Sequence, residues 1–158
     1  ALELTTLGEG PGEGPGEGTT VNLPLPRGCG REQYLRAYSE VAAPLLRRFG
    51  PQLLLVSAGF DAHFADPLAQ MLLDTRGYYE IASLLKALAG ELCEGRIVYG
   101  LEGGYDQPAL AWSARACIDT LLGDAFAEDP LGSGPSVPGP DIDTVLAAAK
   151  RAHGLPGG

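Results

Sequence analysis

Positive charge is in short supply in this sequence: 11 Lys and Arg stand against 20 Asp and Glu, a formal net charge of −9. Gripping a nucleic-acid backbone takes clustered cations, so nucleic-acid binding is set aside. Long apolar runs are missing too. No stretch approaches the ~18 residues of a membrane-spanning helix, so no membrane partner is expected. No charged segment leads into an apolar one as in a secretory signal. Cysteine is scarce: Cys29, Cys93 and Cys117 form an odd set without a CxxC pair. That argues against a disulfide framework and for a reducing compartment, here expected to be the cytoplasm. The chain opens on Ala1 and not on Met, which leaves both a fragment and a trimmed protein open.

What is present suits one globular domain. The 158 residues are 45% hydrophobic, enough for a real core. The 23 Gly and 13 Pro are unevenly spread. Residues 8–18 read GEGPGEGPGEG, a low-complexity run expected to be a mobile loop within a flexible lead-in over 1–19. Its spacing is wrong for GxGxxG, no strand is expected to precede it, and Glu13 and Glu17 would repel phosphate, so a nucleotide-binding domain is a weak third reading. The acidic balance would suit a cationic partner such as a polyamine or a lysine-rich tail. A merely soluble acidic surface is the plainer explanation.

Periodicity lays out the elements. Residues 20–25, TVNLPL, read as a short strand that Pro24 confines to an edge or ends early. Apolar residues at helical spacing run from Arg31 to Phe49, with Pro44 placed to kink the helix and Gly50-Pro51 to end it. Leu53 to Val56 is continuously apolar, the pattern of a strand buried on both faces. A helix over 75–92 and a strand over 96–101 follow. A further helix starts near Pro108, tolerated in a first turn, and stops at Gly123. This order predicts an α/β fold, a parallel sheet with flanking helices over 20–123. A linker over 124–140 leads to a helix and tail at 141–158, docked back or free.

Ligands of open parallel sheets bind beyond the carboxyl ends of the strands. Two such ends are visible, in SAGFDAHFADPL at 57–68 and LEGGYD at 101–106. Asp61, His63 and Asp66 fall within six residues and are all potential metal ligands. Gly103 and Gly104 precede Tyr105 and can give its loop unusual conformations. Each has a plainer reading alone. Asp61 could cap a turn, Asp66-Pro67 could start one, and His63 could be solvent-facing or hydrogen-bonded. Tyr105 could pack over its loop, and Glu102, a further candidate as a metal ligand or as a partner behind one, could bond loop amides instead.

Together, TVNLPLP at 20–26, VSAGFDAH at 56–63, DPLA at 66–69 and LEGGYD at 101–106 resemble the histone deacetylase and acetylpolyamine amidohydrolase superfamily, especially its bacterial and class II-like members. The resemblance covers roughly residues 8–123 and implies the C-terminal half of an arginase/deacetylase-like domain. It makes Asp61 one of three protein ligands to a catalytic Zn²⁺, which polarises an amide carbonyl and acidifies a water. It makes Tyr105 the donor to the developing oxyanion, on a substrate-binding loop shaped by Gly103 and Gly104. His63 matches a position that does not ligate zinc. The expected substrate is an acetylated or acylated amine, on lysine or a polyamine.

The departures matter. The family's other two zinc ligands, in an Asp-x-His motif, and its His-His acid–base pair lie upstream, and this chain has only His63 and His153. By itself it is expected to be inactive, and also marginal, aggregation-prone or dependent on a partner, either the missing N-terminal half or an oligomer mate. A non-catalytic α/β interaction or regulatory module is the competing reading.

Overall fold

The computed structural model describes residues 17–156 and the backbone of one earlier strand. Residues 8–16 of the glycine–glutamate repeat and the last two residues of the tail lie outside the described residues. The strands are β1 (Glu3–Thr5), β2 (Thr20–Asn22), β3 (Leu54–Gly59) and β4 (Ile97–Gly103). The helices are α1 (Arg31–Ala37), α2 (Ala43–Phe49), α3 (Thr75–Cys93), α4 (Gln107–Leu122) and α5 (Asp143–Ala152). β1 pairs in parallel with β2. A strand therefore does precede the repeat, too short for periodicity to reveal.

Pro44 does not break its helix outright. Without an N–H it cannot bond to the carbonyl four residues back, and its ring crowds that carbonyl. The chain answers with a π turn at Tyr38–Ala42, in which the Ala43 amide reaches back to the Tyr38 carbonyl. Pro44 then falls in the first turn of α2, where no N–H is needed. α3 and α4 start on aspartates whose carboxylates accept from the third helical amide: Asp74 from Gly77 at 2.8 Å and Asp106 from Ala109 at 2.9 Å. α4 stops at Gly123, left-handed with φ 87°.

β3 and β4 run parallel, with Leu54 opposite Ile97 and Val56 opposite Tyr99. These four side chains, with Ala58, face the helices and share a core with Phe60, Leu73, Tyr78, Ile81, Leu85 and Leu88. The alternate residues point the other way. Leu55, opposite Val98, is 74% exposed, and Val98 is 52% exposed. The expectation of a strand buried on both faces is thus corrected: the run is apolar on both faces, but among the described residues only one face is covered.

A second core joins the ends of the described chain. Val21, Leu23, Cys29, Ala37, Val41 and Leu45 pack with Ile142, Leu146 and Ala149 of the C-terminal segment. α5 is therefore docked, against the α1–α2 unit and β2 and not against the β3–β4 sheet. Ion pairs from Lys150 to Glu40 at 2.7 Å and from Arg36 to Asp143 at 2.8 Å flank the contact. The segment over 124–140 has anchors of its own. Phe126 meets the Tyr79 ring edge-on at 5.4 Å and lies under the Arg76 guanidinium at 5.0 Å.

Candidate active site

The parallel pairing of β3 and β4 brings both candidate loops to one rim. Their last paired residues are Gly59 and Gly103, just past a register shift. One step on, the Phe60 amide donates to the Gly103 carbonyl at 2.8 Å. Phe60 is buried against the Tyr78 ring at 5.1 Å, and this fixes the turn that carries Asp61.

The Asp61 carboxylate sits over the ends of both strands. A Cβ added at Gly59 would lie 3.0 Å from Asp61 Oδ1, and one at Gly103 would lie 3.3 Å from its Cγ. A side chain at either position would crowd the carboxylate and oblige it to shift by a few tenths of an ångström. The Asp61 side chain makes no hydrogen bond or ion pair among the described residues, so its acceptor oxygens stay uncommitted. Burial pushes the Tyr34 and Tyr78 phenols up, and the Asp61 charge adds in the same direction.

Gly104 answers a different demand. Its φ of 129° is one that side chains rarely adopt, and a Cβ there would meet Phe60 Cβ at 3.1 Å and Leu110 Cδ1 at 3.2 Å. Tyr105 follows, 63% exposed. Glu102 is exposed, and contrary to expectation its carboxylate holds no loop amide among the described residues.

His63 is fully buried, not solvent-facing. Its Nδ1 accepts from the Ala65 amide at 3.1 Å, which places the proton on Nε2, 3.4 Å from Thr75 Oγ1. Burial lowers its pKa against the pull of nearby carboxylates. It is a neutral residue that ties its loop to the start of α3.

Asp66 is more than the turn starter that Asp-Pro suggests. Oδ1 does close a local turn with the Leu68 amide at 2.9 Å. Oδ2 accepts from the Tyr105 amide at 2.7 Å and the Asp106 amide at 3.2 Å. Sequence reading misses this because the partners lie about 40 residues along the chain, beyond the reach of any local pattern.

The rim thus carries an uncommitted carboxylate, a phenol and a clamped glycine loop. It does not amount to a zinc site. Among the described residues no group of three or more His, Cys, Asp and Glu side chains could hold a metal ion, and a catalytic zinc takes three protein ligands. Asp61 fits the part of one.

Comparison with known proteins agrees with the geometry. The histone deacetylase domain model matches residues 6–121. The chain is 47% identical over 131 residues to histone deacetylase 14, chloroplastic, of Arabidopsis thaliana, covering 83% of the chain and 29% of that protein. It is 43% identical over 135 residues to the human polyamine deacetylase HDAC10, covering 85% of the chain and 19% of that protein. It therefore spans less than a third of the length of either relative. The solved structure of the histone deacetylase Clr3 superimposes with a TM-score of 0.77 at 32% identity, over 90% of this chain and 23% of that one. Shared architecture, the matched domain and these identities lead to one conclusion: the chain belongs to the histone deacetylase family.

Proposed function

We propose that this chain forms the C-terminal part of a zinc-dependent amide hydrolase that removes acetyl or acyl groups from lysine or polyamine amines. The observation that carries the reading is the Asp61 carboxylate, seated over Gly59 and Gly103 with its oxygens uncommitted among the described residues, on the rim that also presents Tyr105. Asp61 offers one ligand to zinc, and the remaining ligands come from outside these 158 residues. The Tyr105 hydroxyl donates a hydrogen bond to the oxygen on which charge develops. A net charge of −9 suits a substrate whose unmodified form is cationic. Three free, buried cysteines fit a reducing compartment, whether the cytoplasm or the chloroplast named for the Arabidopsis relative.

The test uses the intact protein, with whatever sequence precedes residue 1, an acetyl-lysine peptide and an acetylated polyamine. Tyr105→Phe is expected to lower kcat by about 10²–10³-fold with bound zinc unchanged, and Asp61→Ala to lose the metal. Zinc retained in Asp61→Ala, or full turnover by Tyr105→Phe, would defeat the assignment. The interaction-module reading draws on the uncovered Leu55 and Val98 face. Equimolar zinc held by the isolated chain, with amide hydrolysis, would sink it.

A further inference from the structure

Tyr105 has little of its own to hold it in place. Its side chain is mostly exposed, it makes no ring contact among the described residues, and it follows a glycine at φ 129°. What fixes it is its backbone amide, and that amide belongs to Asp66. Asp66 is itself held from both sides. Its amide donates to the His63 carbonyl at 2.9 Å, and its Oδ1 is engaged by Leu68. The residue is only 7% exposed, so its carboxylate cannot swing away to water.

We propose that Asp66 is the positioning residue of the reaction: it clamps the Tyr105 and Asp106 amides to the loop that carries Asp61, and so places the Tyr105 hydroxyl. This rests on the role given to Tyr105 above. Burial favours the neutral acid, but the amides of Leu68, Tyr105 and Asp106 outweigh it and hold the carboxyl below its usual range. Asp66 is therefore an anion at neutral pH, and charge-assisted bonds to backbone amides are the stronger kind. Gly104 supplies the freedom that makes such a clamp necessary. Asp106 is gripped at its amide and caps α4 with its side chain, so Asp66 also sets where α4 begins relative to the rim.

The experiment is a double-mutant cycle in the intact protein, with zinc content, kcat and KM measured on an acetyl-lysine peptide. Asp66→Asn keeps the shape but turns an NH₂ toward either the Leu68 amide or the Tyr105–Asp106 pair. A misplaced loop is expected to cost kcat about 10–100-fold, with KM and zinc within about twofold. In a Tyr105→Phe background the same change is expected to cost less than about twofold, because the hydroxyl being positioned is gone. Hydrogen exchange over residues 101–110 should rise in Asp66→Asn and stay unchanged in Tyr105→Phe.

An equal fall of kcat in both backgrounds overturns the proposal, since a general structural role acts whether or not the hydroxyl is there. So does an unchanged kcat in Asp66→Asn. If Tyr105→Phe alone left kcat intact, the reading of Tyr105 would fail and the positioning role with it; altered exchange would then mark Asp66 as a purely structural clamp. If Asp66→Asn did not fold, Asp66→Glu, which keeps the charge and shifts its reach, would serve in the same cycle.

Discussion

The open face of the β3–β4 pair can be tested through Leu55 and Val98. Both are replaced by threonine, whose branched side chain keeps strand propensity. Leu55 is 74% exposed, so only about a quarter of the ~2 kcal/mol available from burying a leucine is realised here. Val98 at 52% exposure realises about half of a somewhat smaller amount. The pair should therefore cost the 158-residue chain no more than about 1.5 kcal/mol. It should also lower binding of a dye for exposed apolar surface and raise the monomer fraction. In a longer protein that covers this face the same pair should cost about 2–4 kcal/mol, in the range of deep core truncations. Urea unfolding, dye titration and sedimentation on both proteins give the comparison. A loss above about 3 kcal/mol in the isolated chain, or a wild-type chain that unfolds reversibly as a monomer and binds no dye, would refute the reasoning.

Two further outcomes follow from the packing. Leu146→Ala in α5 removes a side chain only 2% exposed and should cost about 2–5 kcal/mol by urea unfolding, whereas Glu40→Gln, at a partly exposed ion pair, should cost less than about 1 kcal/mol. Similar losses from both would mean that α5 is held by charge and not by burial. His63 and His153 both have pKa values lowered by burial, so the unfolded chain takes up protons before the folded one as pH falls through the ordinary histidine value of 6.5. Their contribution to stability is present above that value and declines below it. The melting temperature should drop between about pH 7.5 and pH 5.5, less steeply in His63→Gln, and a flat or rising profile would contradict the buried neutral state.

Most of the framework was legible because it is local. The stripes of α3 and α4, the Gly123 stop and the short apolar runs of β3 and β4 each lie within a few residues of one another. The parallel strand order then puts Asp61 and Tyr105 on one rim without knowledge of any contact. Three things were not legible for the same reason. Leu55 reads as buried because composition says what a face could bury and not whether anything lies on it. Pro44 reads as a kink because sequence shows the lost hydrogen bond and not the π turn that absorbs it. Asp66 reads as a turn because Leu68 is near in sequence and Tyr105 is not. The advantage of glycine at 59 and 103 likewise becomes clear only when the Asp61 carboxylate is seen filling the space.

The two cores differ in when they can exist. The one around β3, α3, β4 and α4 draws on residues 34–117 and can close as soon as that stretch of chain has been made. The other joins Val21 and Leu23 to Leu146 and Ala149, a separation of more than 120 residues. On the ribosome, which adds residues from the N-terminus at about 5–20 per second, Val21 and Leu23 must wait several seconds for their partners. Through that interval the outer side of the α1–α2 unit is an open apolar surface. The turns of α5 are thus the ones that close it, and a ribosome stalled before α5 would release a chain in which β2 and the α1–α2 unit remain exposed to chaperones and to aggregation.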